Sequence, residues 1–173
     1  MKNRRDLAKH FNELGFKVGA EIGVDAGAYA KVLCEEIPGL KYYGIDIWEL
    51  DTRHLPMRIE KHAEAEKLLA PYDVTLIKKF SLDALSDFED NSLDFVYIDA
   101  GHHFDEVMKD IMGWTKKVRK GGIVAGHDYT PADMGRNIVA AVDAYLQGHG
   151  LSLQVTTDTD EGVSWLFNKK WRI

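Results

Sequence analysis

The sequence predicts an α/β fold with a seven-stranded, mostly parallel sheet, helices on both faces and a C-terminal antiparallel hairpin. Short apolar runs alternate with helical patterns along the chain, which is typical of parallel strands joined by helices. Residues 93–98 are apolar apart from Asp94, as expected for a strand that is buried on both faces. The last two apolar runs flank a polar turn at residues 159–162, which indicates the hairpin.

The first half of the chain contains three predicted strands. Residues 18–22, 42–47 and 74–77 are short apolar runs of strand length. Tyr29, Val32, Leu33 and Ile37 recur at helical spacing after the first of them. Residues 57–70 are rich in Ala, Glu, Lys and Leu, which favour a helix. Residues 49–70 depart most from a minimal unit of this fold, and we expect them to form a lid.

The second half continues the alternation. A short helix is expected at 81–87, before the strand at 93–98. Apolar residues between 104 and 114 share one helical face, whereas Glu106, Lys109 and Asp110 lie off it. Gly121 and Gly122 are expected to end this helix before a strand at 123–125. A helical stripe at 134–145 and strands at 151–156 and 163–167 follow. No linker divides the chain, so we expect one domain over residues 1–173.

Composition excludes several classes of protein. The 173 residues include 22 Lys and Arg against 28 Asp and Glu, a formal net charge of −6, which argues against a dedicated nucleic-acid binder. Hydrophobic residues make up 45%, which is typical of a globular chain. The one cysteine, Cys34, cannot form an internal disulfide. The first residues are polar and no run reaches the ~20 apolar residues of a membrane helix. We therefore expect no signal peptide, no membrane partner and a cytoplasmic location.

A turn with two glycines follows the first predicted strand. Gly23 and Gly27 let the backbone approach a ligand closely, and we expect a side chain at Gly23 to block that ligand while leaving the fold intact. The dinucleotide pattern G-x-G-x-x-G would require glycines at Asp25 and Ala28, so a pyrophosphate cradle is disfavoured. A plain structural turn is the alternative.

Acidic residues end three further predicted strands. Asp46 lies 23 positions after Gly23, a spacing typical of a carboxylate that binds the ribose hydroxyls of an adenosine ligand. A helix cap is the alternative. Asp99 and Asp128 follow neighbouring strands, where two carboxylates repel unless a cation such as Mg²⁺ lies between them. Capping and salt bridges without metal are the alternative.

These residues together resemble a known family. The pattern E-x-G-x-x-x-G at Glu21, Gly23 and Gly27, followed by Asp46, is similar to the first motifs of class I S-adenosylmethionine-dependent methyltransferases. A later stretch resembles the branch of macrocin-type sugar O-methyltransferases, and it consists of residues 92–102 and 126–129 with Asp110, Trp114, Gly121 and Gly122. The resemblance covers about residues 15–167 and implies a Rossmann-like fold.

The resemblance also implies the site residues. The implied cofactor-binding residues are Glu21, Gly23, Gly27, Asp46, Ile47, Ser81, Leu82 and Asp99. The implied metal ligands are Asp99, Asp128 and His127. The implied catalytic residues are Asp99, His102 and His127, with either histidine as the base that accepts a proton. His127 stands where the branch has an acid, and an imidazole suits Mn²⁺ better than Mg²⁺, so both metal binding and the metal are left open.

The expected function is methyl transfer from S-adenosylmethionine to the hydroxyl oxygen of a small molecule, with a sugar as the first candidate. Trp48 is expected either to stack on the adenine ring or to lie in the core. A homodimer is left open. Two rival functions are kept: a nicotinamide-dependent oxidoreductase, which the missing third glycine and the hairpin disfavour, and a non-catalytic module that only binds S-adenosylmethionine.

Overall fold

The structure, a computed structural model, describes residues 1–48, 55–131, 136–158 and 162–170. Its helices are α1 (Arg4–Glu13), α2 (Ala28–Glu36), α3 (Leu55–Leu69), α4 (Ser81–Ala84), α5 (Phe104–Lys117) and α6 (Arg136–His149). Its strands are β1 (Val18–Ile22), β2 (Lys41–Asp46), β3 (Val74–Lys78), β4 (Leu93–Ile98), β5 (Val118–Gly126), β6 (Gln154–Val155) and β7 (Trp165–Asn168). A 3₁₀ turn at Leu85–Asp87 follows α4. Residues 49–54 of the expected lid, Met134 and hairpin residues 159–161 lie outside the described residues.

The seven strands form one sheet in the order β3-β2-β1-β4-β5-β7-β6. The first five strands are parallel, whereas β7 runs antiparallel to β5 and β6 runs antiparallel to β7. This confirms the predicted fold class. In register, Ile22 pairs with Ile45 and Ile98, and Ile98 pairs with Gly126. The segments that follow the parallel strands therefore meet at one edge of the sheet, here called the carboxyl edge.

Helices cover both faces of the sheet, as predicted. One face buries Phe11 of α1, Leu33 of α2 and Leu69 of α3 against strand residues such as Phe95. The other face buries Ile111 of α5 and Val142 of α6. Alternate residues of a strand point to opposite faces, so Tyr97 joins the first core while Val96 and Ile98 join the second. No helix in the described ranges is long and apolar enough to cross a membrane.

Helix α1 is absent from the sequence prediction. Its N-cap Asn3 accepts a hydrogen bond from the Asp6 N–H at 3.1 Å, and Leu7 and Phe11 are fully buried four residues apart. The capping residue and this i, i+4 pair are the sequence signal that could have found it. Because α1 has so few apolar residues, its apolar face is too short in the sequence to distinguish a helix from a polar N-terminal segment.

Two boundaries also differ from the prediction. Helix α5 continues to Lys117 and β5 begins at Val118, so Gly121 and Gly122 lie within the strand and do not end the helix. The β4–β5 register shifts between Leu93 and Phe95, and Gly121 has a φ of +73°. The glycine pair thus accommodates an irregularity in β5. Strand β6 contains two residues, where six were expected.

Candidate active site

The glycine turn joins β1 to α2 at the carboxyl edge. Gly23 has a φ of +92°, and a Cβ added there would lie 2.0 Å from the backbone oxygen of Asp99. The close approach that requires glycine is therefore to the protein's own backbone, and the expectation that a larger residue would leave the fold intact is wrong. Gly27 has a φ of +85° and lies against Leu69, where a Cβ would be 3.2 Å from Cδ1.

Asp46, the last residue of β2, is held by the glycine turn. Its Oδ2 accepts a hydrogen bond from the Asp25 N–H at 2.8 Å, and its Oδ1 accepts one from the Trp48 N–H at 3.1 Å. A carboxylate oxygen has more than one acceptor position, so both oxygens retain capacity for a ligand. The backbone bonds fix the orientation of the carboxylate toward the cleft that Asp46 borders.

Trp48 lies in the core, which was one of its two expected placements. Its side chain is 1% exposed, and its indole Nε1–H donates to the Asp25 carbonyl oxygen at 2.9 Å. Its ring stacks on His62 with centroids 4.2 Å apart and planes 13° from parallel. Because both faces of this indole are covered by protein, it does not provide a stacking surface for adenine.

An open cleft of roughly 760 Å³ lies along the carboxyl edge between the turn after β1, the turn after β3 and helix α5. This volume is within the range of small-ligand sites. The cleft brings together most of the predicted cofactor residues: Gly23, Asp46, Ile47, Ser81, Leu82 and Asp99. Glu21 and Gly27 do not border it. Phe80 and Leu82, which are large and exposed, provide apolar surface at one end.

Glu21 lies beneath the cleft, where it is 2% exposed. The Tyr42 hydroxyl donates a hydrogen bond to its Oε2. Burial raises the pKa of Glu21 to about 8, against the opposing effect of the Tyr42 hydrogen bond and with a further rise from the charge of Asp99. At neutral pH the folded protein therefore holds this side chain mainly as the neutral acid. The structure assigns Glu21 a contact with Tyr42 of β2 and no direct contact with the cleft.

Ser81, Asp110 and Trp114 form a hydrogen-bonded chain, and Ser81 and Asp110 of this chain line the cleft. The Ser81 hydroxyl donates to Asp110 Oδ1, and the Trp114 indole N–H donates to Ser81 Oγ at 2.8 Å. Asp110 is 5% exposed, although the helical pattern had placed it off the buried face of α5. Burial raises its pKa to about 6; the Ser81 bond opposes this rise and the nearby Glu106 adds to it.

A second cluster lies next to the cleft, where β4 and β5 end. Ligand atoms of Asp99, His102 and Asp128 all lie within 4.8 Å of one another. His102 Nε2 is 3.4 Å from Asp128 Oδ2. Asp128 has a φ of +57°, a left-handed conformation that Asp and Asn adopt more readily than most residues. Burial raises the pKa of Asp99, and the charge of His127 opposes this rise.

The structure places His127 differently from the predicted ligand set. Its Nδ1 is 3.0 Å from Asp128 Oδ1 and 3.7 Å from Asp99 Oδ2. A Cβ at Gly162 would lie 2.9 Å from its Nε2, and its side chain is 11% exposed. His102, at 34% exposure, is the histidine that joins the two acids in the candidate ligand group. His127 lies beside them as a partner of Asp128.

The charges of this cluster are coupled. Burial lowers the pKa of His127, but the hydrogen bond to Asp128 and the charges of Asp99 and Asp128 together raise it above its usual value. The same hydrogen bond lowers the pKa of Asp128. The positive charge of Arg4, whose guanidinium carbon lies 5.3 Å from the centre of the Tyr29 ring, also acts on both Asp99 and Asp128. The sequence pattern gave no sign that Arg4 lies near this edge, because α1 was not predicted.

Three buried tryptophans donate hydrogen bonds from their indole N–H groups to residues at the site. Trp48 donates to Asp25 and Trp114 to Ser81, as described above, and Trp165 of β7 donates to the His127 carbonyl oxygen at 3.2 Å. Each indole is buried. A buried indole is thereby hydrogen-bonded to each of three turns of the site: the turn after β1, the turn after β3 and the turn after β5.

The strand order, the glycine turn after β1 and the carboxylate at the end of β2 define a class I S-adenosylmethionine-dependent methyltransferase fold. Residues 20–129 match the family described as a methyltransferase domain. The chain belongs to this family. No curated protein sequence matches the chain.

Solved structures show the same fold. A provisionally named caffeoyl-CoA O-methyltransferase from Staphylococcus aureus is 17% identical, with a TM-score of 0.72 over 95% of this chain and 82% of that one. The O-methyltransferase from Bacillus cereus in complex with SAH is 16% identical, with a TM-score of 0.67 over 96% and 80%. A precorrin-6y C5,15-methyltransferase from Geobacter metallireducens is 16% identical, with a TM-score of 0.70 over 96% and 87%.

Proposed function

We propose that this protein transfers the methyl group of S-adenosylmethionine to a hydroxyl oxygen of a small molecule, with a sugar as the first candidate. The observation that carries the proposal is the cluster of Asp99, His102 and Asp128 directly beside the cofactor cleft. Asp99 borders the cleft and also belongs to the cluster. A methyl group bound in the cleft and an oxygen bound at the cluster would therefore meet at Asp99.

The cofactor half of the reaction requires binding and orientation. Asp46 has acceptor capacity left on both oxygens, which suits the two ribose hydroxyls. Ile47 and Leu82 offer apolar surface to the purine. The carboxylate of Asp99 lies where the positively charged sulfonium end of the cofactor is expected. Because the sulfonium already activates the methyl carbon, the main task of the protein is to align it with the attacking oxygen.

The acceptor half requires removal of a proton from the hydroxyl. His102 is the better placed base, because it is half-buried at the cluster while His127 is largely enclosed and bonded to Asp128. Asp128 orients His102 from 3.4 Å. His127 in turn fixes Asp128, so the two histidines share one carboxylate in different roles.

The cluster also fits a divalent cation. Two carboxylates and one imidazole within 4.8 Å are a donor set that suits Mn²⁺, and the carboxylates alone suit Mg²⁺. Asp99, Asp128 and His102 would hold the ion, which would lower the pKa of a bound hydroxyl. A nitrogen of His102 that coordinates a metal ion cannot also accept a proton. Whether the protein binds a metal ion therefore decides which of the two roles His102 has.

Calorimetric titration with S-adenosylhomocysteine tests the cofactor site. We expect micromolar affinity, about −8 kcal/mol, and a weakening of about 1.5–3 kcal/mol in Asp46→Ala, since charge-assisted hydrogen bonds to the ribose are lost. Asp90→Ala, an exposed acid far from the cleft, is the matched control. Unchanged affinity in Asp46→Ala would remove this residue from the site, and binding of a nicotinamide dinucleotide instead would support the oxidoreductase rival.

Turnover tests the acceptor. Release of S-adenosylhomocysteine is measured with a panel of hydroxylated small molecules that includes sugars. We expect His102→Ala to lower kcat about 100-fold or more while the cofactor affinity stays within about twofold. If the cofactor binds but no hydroxyl compound is methylated, the protein is the non-catalytic module and the proposed reaction is wrong.

A further inference from the structure

Arg4 is a half-buried cation at the start of helix α1. The short connection at residues 14–17 makes α1 and β1 run in opposite directions. The ten-residue helix is about 15 Å long and the five-residue strand about 16 Å long, and Phe11 of α1 stacks on Phe95 of β4. Because α1 lies on the sheet and matches β1 in length, it begins level with the carboxyl edge.

Backbone hydrogen bonds place the same end of α1 beside the cluster of acids and histidines. Strand β6 is parallel to β5, since both are antiparallel to β7, so the residues that follow β6 lie at the carboxyl edge. The N–H groups of residues 157 and 158 donate to the carbonyl oxygens of Met1 and Lys2 at 2.7 to 3.2 Å. The start of α1 is thus bonded to the connection between β6 and β7, and Gly162 of this connection lies against His127.

The Arg4 guanidinium lies over an aromatic ring that leads to the site. Its Cζ is 5.3 Å from the centre of the Tyr29 ring, and the Tyr29 hydroxyl donates to the Arg4 carbonyl oxygen at 3.2 Å. The Tyr29 ring contacts Tyr97 at a centroid distance of 4.4 Å, and the Tyr97 ring is 6.5 Å from that of His127. A guanidinium over a ring keeps its N–H groups in one plane, where they suit a carboxylate or a phosphate.

The Arg4 guanidinium has hydrogen-bond donors that no described protein group uses. In the described part of the chain it forms no hydrogen bond and no ion pair, whereas the neighbouring Arg5 pairs with Glu35 and Glu36. An arginine keeps its charge at any physiological pH. Holding such a charge partly away from water without an acceptor costs free energy, which a bound anion would recover.

The charge of Arg4 acts on the cluster, although Arg4 does not border the cofactor cleft. Burial has the largest influence on the pKa of Asp99, and the hydrogen bond with His127 has the largest on that of Asp128. The positive charge of Arg4 acts to lower both pKa values. An anion at Arg4 would therefore belong to the acceptor at the cluster and not to the cofactor in the cleft.

We propose that Arg4 binds a carboxylate or phosphate group of the acceptor, so that the substrates of this site are anionic hydroxyl compounds such as sugar acids or sugar phosphates. The inference rests on the proposed function, and it names the substrate class. Paired hydrogen bonds from the planar guanidinium would fix the anionic group and so align the hydroxyl with the cluster. The charge of Arg4 would also offset the repulsion between such an acceptor and the carboxylates of Asp99 and Asp128.

The test compares neutral and anionic acceptors of matched structure. The full chain, saturated with S-adenosylhomocysteine, is titrated calorimetrically with glucose and glucuronate, glucose and glucose 6-phosphate, and glycerol and glycerate. We expect at least one anionic compound to bind about 10-fold or more tightly than its neutral counterpart, and Arg4→Gln to reduce this preference to about twofold or less. Arg4→Lys keeps the charge without the planar donors and should retain an intermediate preference.

Controls separate anion binding from a structural role. Arg5→Gln makes the same change at the adjacent position, where the guanidinium already pairs with glutamates, and we expect it to keep the wild-type preference. Melting curves confirm folding, and Arg4→Lys serves as the second variant if Arg4→Gln does not fold. Titrations with S-adenosylhomocysteine and with 5′-methylthioadenosine, which has no carboxylate, test the cofactor as the source of the anion. We expect Arg4→Gln to change both affinities by less than about threefold.

Three results overturn the inference. They are the absence of an anion preference in every pair, an equal preference in Arg4→Gln, and a loss of affinity in Arg4→Gln for S-adenosylhomocysteine that 5′-methylthioadenosine does not share. The last result would assign Arg4 to the carboxylate of the cofactor.

Turnover distinguishes this failure from that of the proposed function. If neutral acceptors are methylated with an unchanged kcat/KM in Arg4→Gln, the inference is wrong and the proposed reaction stands. If an anion binds through Arg4 but no hydroxyl compound is methylated, the anion site stands and the proposed reaction is wrong.

Discussion

The two edges of the sheet hold their acidic residues differently, apart from Asp128 of the carboxyl edge, whose pKa is lowered by its hydrogen bond with His127. Around the carboxyl edge, Glu21 and Asp110 are buried and Asp99 is partly buried. All three have raised pKa values, with loss of solvation as the main cause in each case. At the opposite edge, where the parallel strands begin, Asp90 and Asp94 have lowered pKa values. The Lys117 ammonium lowers the first, and hydrogen bonds from backbone amides and Arg119 outweigh burial in the second.

The contacts explain the difference. Asp94 Oδ2 accepts from the N–H groups of Lys17 and Val18 at 2.6 and 2.8 Å, and its Oδ1 accepts from Arg119 Nε at 2.6 Å. The buried Lys169 ammonium donates to the Val118 carbonyl oxygen at 2.7 Å. The charge of Asp94 is thus matched by Arg119 and two amides, and the ammonium of Lys169 has its hydrogen bonds supplied within the protein. The acids of the carboxyl edge are matched only in part, which leaves them available for a ligand, a proton or a cation at a cost in stability.

The largest loss of stability is expected from a side chain at Gly23 of the carboxyl edge, and Gly39 of the opposite edge is the glycine to compare with it. Gly23→Ala should destabilise the protein by about 4 kcal/mol or more, because its Cβ would overlap the Asp99 backbone oxygen. Gly39, in the turn before β2, has a φ of +74° and open space around it, so Gly39→Ala should cost about 1 kcal/mol. Urea unfolding measures both. Equal costs would show that backbone conformation alone, and not the contact with the Asp99 backbone, requires Gly23.

The next largest effect is expected from Asp94→Ala, which should lower stability without changing cofactor affinity. Asp94→Ala leaves two backbone amides and a guanidinium without their carboxylate, and should lower the free energy of unfolding by about 3 kcal/mol. Its affinity for S-adenosylhomocysteine should stay within about twofold. A tenfold loss of affinity in the folded variant would show that the two edges are not independent.

A smaller effect is expected from pH. Unfolded Glu21 loses its proton near its ordinary pKa, whereas the folded protein holds the proton up to about pH 8. The folded state therefore binds more protons between these values, and its stability falls as pH rises through this window. Glu21→Gln mimics the neutral acid and should remove a fall of about 2 kcal/mol between pH 6 and pH 8. Urea titrations at both pH values measure it, with the exposed Glu66→Gln as control; an unchanged fall in Glu21→Gln contradicts the assignment.

The smallest effect is expected from metal. Mn²⁺ at ten times its Kd should stabilise the folded protein by about 1.4 kcal/mol, or about 3–5 °C in Tm. Mg²⁺ should stabilise less and Ca²⁺ least, because an imidazole is among the donors. Asp128→Asn should abolish the shift, and asparagine tolerates the left-handed backbone at this position. Identical melting curves and activity with chelator and with saturating metal would make the site metal-free.

The sequence predicted the architecture because strand and helix periodicities are local signals. It placed the segments after β2, β4 and β5 at one edge, since parallel topology determines where strands end. It could not predict that Asp110 is buried. Helical periodicity shows which residues lie off the apolar face, but it does not show whether a hydrogen-bond partner such as Ser81 lies within reach. The same limit applies to His127 and His102. Which of them joins the two acids depends on side-chain direction and on the packing of Gly162, neither of which spacing encodes.

The three indole hydrogen bonds give the protein an internal optical reporter. Trp48, Trp114 and Trp165 are each bonded to a different turn of the site, and indole emission depends on the local field and on the strength of that bond. Occupation of the cleft should change the emission of Trp114 through Ser81, whereas changes at the two acids and His127 should change that of Trp165. The chain has four tryptophans, so the part of the fluorescence change that is lost in Trp114→Phe and the part that is lost in Trp165→Phe would report on the two halves of the site separately, in real time and without an added label.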